Sequence, residues 1–260
     1  MLLKRVIPNI LLSENAIYKT KNFKNKKYIG DPINTVKLFN DLEVDELIIL
    51  DIDSSKRKFE PNLKLIEEMV SEAFMPICYG GGIDDIEIAK KIFASGVEKI
   101  SINSKAIQDL GFIEKLAKIF GNQSIVLSVD IKKNLFGKFK IYSHKDNKNI
   151  NLDYKSFIKR CIDNGVGEIL LTSVDKEGTL SGFDLELINI ISNSFSVPLI
   201  ANGGGSDLSD IKAAFQNGAS AVSCGSKFVY EGPYKAVLIN YLNENEIYEI
   251  NNEKIITDND

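Results

Sequence analysis

Eight short apolar, β-rich runs recur along the chain: KRVIPNI, ELIILDI, MPICYG, EKISIN, SIVLSVD, EILLTSV, VPLIAN and SAVSCG. Between them lie amphipathic segments of helical length. This alternation predicts eight βα units and a parallel sheet closed into a (β/α)8, or TIM, barrel. Helix starts are expected near Asp31, Asn62, Asp84, Asp109, Asp153, Asp184, Ser206 and Pro233, mostly residues favoured at or beside an N-cap. Lys138 to Tyr142 should pair across a turn with the chain beside Asp130, giving a small hairpin beyond the fifth strand. No linker divides the series, so residues 1–242 read as one barrel. The polar tail, 243–260, lacks sustained periodicity and reads as a loosely held extension or an edge-packing strand.

An internal repeat sharpens this picture. Aligning Gly82 with Gly204 sets an offset of 204 − 82 = 122, and the same offset places VDELIILDID over VGEILLTSVD, MPICYGGGI over VPLIANGGG, and FASGVEKISINSKAI over FQNGASAVSCGSKFV. One offset held across three gap-free segments indicates two duplicated half-barrels and a pseudo-two-fold axis.

Composition narrows the class. A length of 260 residues suits one barrel, with 44% hydrophobic and 26% charged residues as in ordinary globular chains. The formal charge of −4 argues against a nucleic-acid-binding surface. The apolar start is broken by Lys4, Arg5 and Pro8, so it reads as a strand rather than a signal peptide or membrane span. Cys78, Cys161 and Cys224 lack CxxC spacing, and the lone His144 cannot complete a clustered metal site. A cytoplasmic chain with reduced thiols and neither metal nor cofactor is expected.

Barrel chemistry sits at the C-terminal ends of the strands. The glycine runs Gly80 to Gly82 and Gly203 to Gly205 fall there, and each ends a strand and opens a helix. Such backbones approach anions closely, and the following helix favours phosphate. Gly81 and Gly82 with Asn103 and Ser104 make one candidate cradle; Gly203 and Gly204 with Gly225 and Ser226 make the other. A ligand with two phosphates is implied, although glycine runs also serve as plain strand-to-helix turns. Asp130, after the apolar strand SIVLSV, is the candidate general acid or base, with a loop N-cap as the alternative. Asp51 and Asp175, at the matching strand ends, and Ser101 and Thr172 are expected in the substrate pocket; aspartates at such ends also pin loops. Lys19, in the long first loop, could clamp a phosphate or be merely solvated.

Taken together, KRVIP, Lys19, GDP at Gly30 to Pro32, DELIILDI, YGGGI, EKISIN, SVD at Asp130, GEILLTS, DKEGT, DLEL and the second glycine run resemble the HisF family, the cyclase subunit of imidazole glycerol phosphate synthase. The resemblance covers nearly all of residues 1–242. It implies a barrel that takes ammonia from a glutaminase partner, HisH-like, and cleaves and cyclises a bis-phosphorylated ribulosyl nucleotide. It also implies an ammonia gate at the N-terminal mouth, at Arg5, Glu46, Lys99 and Glu168. Read from charge alone, those four residues suit a structural salt-bridge ring equally well.

One departure bears on catalysis. The family's first strand carries PCLDV with a catalytic aspartate, and this chain carries PNILL, which puts Leu11 in the aspartate's place. Leucine moves no proton, and neither Ser13 nor Glu14 stands at the matching position, which leaves Asp130 as the one expected acid/base group. The segment from LLSENAIYKT through KNFKNKKYIGDPINTVKLFN resembles a second branch of the family with the same leucine, found with surface-polysaccharide genes and linked to acetamidino sugars. That resemblance implies ammonia delivered to a separate N-acetyl sugar amidotransferase. Three readings follow: an ammonia-conducting subunit of the polysaccharide branch, a histidine-pathway cyclase, or a scaffold that activates the glutaminase.

Overall fold

The computed structural model describes residues 4–54 and 60–252. Eight parallel strands close on themselves: β1 (Arg5–Ser13), β4 (Leu47–Asp51), β5 (Ile77–Gly80), β6 (Lys99–Ile102), β7 (Ile125–Lys133), β10 (Glu168–Ser173), β11 (Leu199–Asn202) and β12 (Ala221–Cys224). Closure comes from β7 pairing β10 and β12 pairing β1. Two antiparallel excursions rise from the C-terminal mouth. β2 (Ala16–Lys21) and β3 (Lys24–Gly30) continue β1, and β8 (Phe139–Ser143) with β9 (Lys148–Ile150) continue β7. The second is the hairpin anticipated at Lys138 to Tyr142.

The strands read as continuous apolar runs because both their faces are buried. Outward residues such as Val6, Ile10, Ile49, Tyr79 and Ile100 pack under the helices, while Ile7, Ile48, Cys78, Val126, Leu170, Ile200 and Ala221 fill the barrel. The registers Asn9↔Ile48, Ile48↔Cys78 and Cys78↔Lys99 slope around the barrel, so inward side chains stack in layers of four from alternate strands. Above the N-terminal mouth comes a layer of Ile7, Cys78, Val126 and Ile200. The next holds Ile48, Ser101, Leu170 and Ser223, and the one above it Asn9, Gly80, Ser128 and Asn202. Leu50, Asn103, Thr172 and Gly225 follow, and Leu11, Gly82, Asp130 and Gly204 form the rim. Residues 122 apart, such as Ser101 and Ser223 or Gly82 and Gly204, stand opposite each other in their layers, as two duplicated half-barrels require.

Most helix starts lie where the capping residues put them. The side chains of Asp31, Asn62, Asp153 and Asp184 accept a backbone N–H from the first turns of Pro32–Asp41, Leu63–Ser71, Tyr154–Asp163 and Leu185–Ser194. Asp109 precedes Leu110–Phe120 without such a bond. For the third and seventh units the cap is one residue later than expected, at Asp85 and Asp207.

The eighth unit differs. No helix starts at Pro233; that residue lies in the turn between β13 (Tyr230–Glu231) and β14 (Ala236–Val237), where Gly232 takes a positive φ of 68°. Residues Glu244–Asn252, expected to be loose or an edge strand, form a helix that buries Ile250 and lies beside Leu208–Gln216. Lys4 donates to the Ile250 carbonyl at 2.9 Å. Tertiary burial of its apolar residues overrides the weak helix propensity of the asparagines in this segment. No helix among the described residues is long and apolar enough to cross a membrane.

Candidate functional site

A cavity of about 840 Å³ opens at the C-terminal mouth, within the size range of small-molecule sites. Its lining brings together Lys19, both glycine runs, Asn103, Ser104, Gly225 and Ser226, along with Asp51, Ser101, Asp130 and Thr172. The cradles are shaped by backbone that a side chain would spoil. Gly81 and Gly204 have φ of 115° and 105°, and a Cβ on either would come within 2.2 Å of a carbonyl oxygen, of Asp51 and Gly182 respectively. Helices Ile86–Ala94 and Leu208–Gln216 are capped by Asp85 and Asp207, whereas the short turns starting at Ser104 and Ser226 have no side-chain cap. Both serines line the cavity, and the first N–H groups of these turns lack an N-cap side-chain acceptor.

Lys19 lies against the second candidate cradle. It is not a loop residue but lies on β2, buried, its ammonium donating to the Asn9 carbonyl at 2.8 Å. A Cβ on Gly225 would fall 1.9 Å from Lys19 Nζ. Burial brings the Lys19 pKa down to about 8, against the pull of Glu177. Sequence reasoning missed Glu177, which is buried, accepts from the Thr20 hydroxyl and the Phe23 N–H at 2.9 Å each, and so ties the β2–β3 hairpin over the mouth. DKEGT held the only signal, and nothing local distinguishes Glu177 from Asp175.

Asp130 is no loop cap; it sits inside β7 and is buried. Burial pushes its pKa up to about 7, against hydrogen bonds from Asn103, at 2.9 Å, and from Thr172. Thr172 in turn accepts from Asn202 at 3.0 Å. A carboxyl poised near neutrality can give or take a proton. Directly across the rim stands Leu11, buried and aliphatic: Leu11 pairs with Leu50 just as Asp130 pairs with Thr172 in the other half. Ser13 does not line the cavity, since its hydroxyl donates to Asp53, itself paired with Lys26 at 2.7 Å. Glu14 is exposed at the turn after β1.

The two remaining aspartates separate. Asp51 reaches the cavity, but its carboxylate accepts the backbone N–H groups of Asp53 and Ser54, at 3.0 Å each, and the Ser54 hydroxyl. Asp175 is exposed and off the cavity, and it accepts the Lys133 N–H at 2.8 Å, which pins the β7–β8 hairpin. Its expected place in the pocket is not what the structure shows. Among the described residues no group of three or more His, Cys, Asp or Glu side chains is placed to hold a metal ion.

At the opposite mouth, Arg5, Glu46, Lys99 and Glu168 form one closed ring of alternating charge. Arg5 bonds both glutamates, and Lys99 reaches Glu46 at 3.0 Å and Glu168 at 2.9 Å. Burial opposes the charge on Arg5 and Lys99, but pairing with the two glutamates outweighs it and raises both pKa values. The carboxylates are nearly inaccessible, and neither cation can be removed without stranding buried charge.

Comparison with known proteins adds to this geometry. Residues 5–235 match the family described as "Histidine biosynthesis protein". The chain is 45% identical to a Pseudomonas aeruginosa protein provisionally named imidazole glycerol phosphate synthase subunit hisF2, over 95% of this chain and 99% of the relative. It is 43% identical to a provisionally named subunit HisF from Leptospira borgpetersenii, over 94% and 96% of the two chains. Identity to the imidazole glycerol phosphate synthase subunit HisF of Alkaliphilus metalliredigens is 36%, over 88% and 92%.

Proposed function

From the premise that this chain belongs to the HisF family of histidine-biosynthesis proteins, we propose that it is a synthase-type subunit that receives ammonia from a glutaminase through its barrel while a two-phosphate ligand occupies the opposite mouth. The observation that carries this reading is the axial order of parts: a closed charged ring, an apolar layer, then a cavity with two glycine cradles. Opening the ring by exchange of partners would admit a small neutral molecule, and the apolar layer above it favours NH3 over NH4+ because burying an ion there is costly. The test is Lys99→Ala in the complex with a HisH-like glutaminase. Glutamine-dependent amidation should fall while glutamine hydrolysis continues and added ammonium still supports the reaction. Unchanged glutamine-dependent amidation would leave the ring a structural device.

Leu11 sets the chemical outcome. With one proton-transfer group where the cyclase reaction uses two, the barrel holds ligand and ammonia but is a poor cyclase. In this reading the ammonia serves amidation of an N-acetyl sugar by a separate amidotransferase in surface-polysaccharide synthesis. The higher identity to the provisionally named hisF2 than to the Alkaliphilus HisF supports a branch apart from the ordinary cyclase. A second reading, a histidine-pathway cyclase, draws support from Asp130, whose pKa of about 7 suits it for acid/base work without help.

A further inference from the structure

The two antiparallel excursions at the C-terminal mouth are both basic. Residues 16–30 carry five lysines and no acidic residue, and residues 131–150 carry six lysines and one acid, Asp146, although the whole chain has a formal charge of −4. The excursions meet where the Phe23 ring packs on Tyr142 and His144, with centroids 6.1 and 5.1 Å apart, so their lysines belong to one lip. Lys19 is buried, Lys26 pairs with Asp53, and Lys133 pairs with Glu186. Lys21, Lys24, Lys27, Lys138 and Lys148 are exposed and make no ion pair among the described residues.

The apex between β7 and β8 is apolar. Asn134 Oδ1 accepts the N–H groups of Phe136 and Lys138 at 2.9 and 3.0 Å, and the Asn134 carbonyl accepts the Gly137 N–H at 2.9 Å. Gly137 completes the turn with a φ of 74°. The turn closes on its own hydrogen bonds and holds Leu135 and Phe136 at its tip, 102% and 87% exposed. A Cβ on Gly137 would meet nothing within 4 Å, so the apex stands clear of the barrel. None of these turn contacts uses the side chain of Leu135 or Phe136, and both hold apolar surface in water, which is unfavourable until something covers it.

Charge and apex together select a partner. Lysines alone would steer a phosphorylated ligand into the cavity, but neither Leu135 nor Phe136 lines it. A stable protein interface buries about 1,200 Å² or more around a core poor in lysine, and two apolar side chains flanked by lysines do not supply one. An anionic bilayer surface asks for what the lip has. Apolar side chains enter the boundary between headgroups and acyl chains, and the flanking ammonium groups stay among the lipid phosphates. We propose that the lip docks the barrel on an anionic phospholipid bilayer, with Leu135 and Phe136 inserted and the exposed lysines of both excursions on the headgroups. Such a contact needs no membrane-spanning helix, and the charged ring at the opposite mouth stays clear of it.

The chain has no tryptophan, so Phe136→Trp makes the apex the site of its only indole. The full chain carrying Phe136→Trp is titrated with vesicles of phosphatidylcholine alone and with vesicles in which roughly one quarter of the lipid is phosphatidylglycerol. Indole emission should move to the blue with the anionic vesicles, stay unchanged with the neutral ones, and return as salt is raised. In cosedimentation of the otherwise unaltered chain, Leu135→Ser and Phe136→Ser should each weaken binding to the anionic vesicles roughly tenfold. Lys138→Gln and Lys148→Gln should each weaken it about fivefold. All four side chains are exposed, so these substitutions leave the fold intact. An unshifted indole, with the unaltered chain left in the supernatant, overturns the proposal and assigns the lip to an acidic protein surface instead. Equal binding to neutral vesicles also overturns it, as does binding that neither Leu135→Ser nor Phe136→Ser weakens, which is adsorption by charge alone.

Discussion

The two half-barrels share a backbone plan and differ in what it carries. The rim of the second half offers Asp130, buried and titrating near neutrality; the rim of the first offers Leu11 at the equivalent register. The cradles differ as well, for Gly225 lies against the buried ammonium of Lys19, while among the described residues no buried lysine lines the cavity beside Gly82 and Ser104. In the proposed reading, binding geometry is thus kept in both halves and proton transfer in one. Grip and chemistry would then be separable in this fold, because glycines act through their backbone at strand ends, whereas proton transfer depends on one side chain per half.

The comparison predicts a graded series of losses. The largest is for Gly204→Asp, which adds a side chain where the backbone φ is 105° and a carboxylate where phosphate is expected. Calorimetric titration with a two-phosphate ligand should show affinity lost by more than about a hundredfold, the size of several broken charge-assisted hydrogen bonds. Gly82→Asp should act in the same direction, and unchanged affinity in both would leave the glycines as turn residues.

Next comes Asp130. Its folded-state pKa lies above the ordinary 3.8, so the folded chain holds more protons than the unfolded one between about pH 4 and pH 7, and stability falls as pH rises through that window. The shift corresponds to a change on the order of 4 kcal/mol. Asp130→Asn should flatten this dependence in denaturant melts taken across the window. A variant whose midpoint tracks pH as the wild type's does would show that Asp130 is ionised in the folded state.

A smaller effect separates the cradles. Because burial lowers the Lys19 pKa to about 8, a bound phosphate should restore its charge, and ligand binding above pH 8 should take up a proton. Calorimetry in buffers of different ionisation enthalpy measures that uptake. Lys19→Met should abolish it and weaken affinity about tenfold, as expected for one hydrogen bond to a charged group. Equal uptake in the variant would assign the proton elsewhere.

Much of this was legible in the chain itself, for physical reasons. Strands buried on both faces announce themselves as apolar runs, and caps such as Asp31, Asn62, Asp153 and Asp184 mark helix starts through a local hydrogen bond. The repeat offset located both glycine runs. What escaped depends on contacts distant in sequence. Glu177 matters because Thr20 and Phe23 come to it from 157 and 154 residues away, and Asp175, also a carboxylate and two positions earlier, turns outward to Lys133. Lys19 reads as a loop lysine, a phosphate clamp or merely solvated, and only the β2–β3 hairpin buries it under the mouth. The helix Glu244–Asn252 owes its existence to the groove that receives Ile250, which no local pattern reveals.

The separation of grip from chemistry is tested most directly by the turnover of the unaltered chain, supplied with ammonium salts, on the bis-phosphorylated histidine-pathway intermediate. The account predicts that the intermediate binds but is turned over about 10²–10⁴-fold more slowly than by an ordinary HisF cyclase, the usual contribution of one general acid or base. Turnover equal to that of an ordinary HisF cyclase would contradict it, because Leu11 would then stand where no proton needs to move.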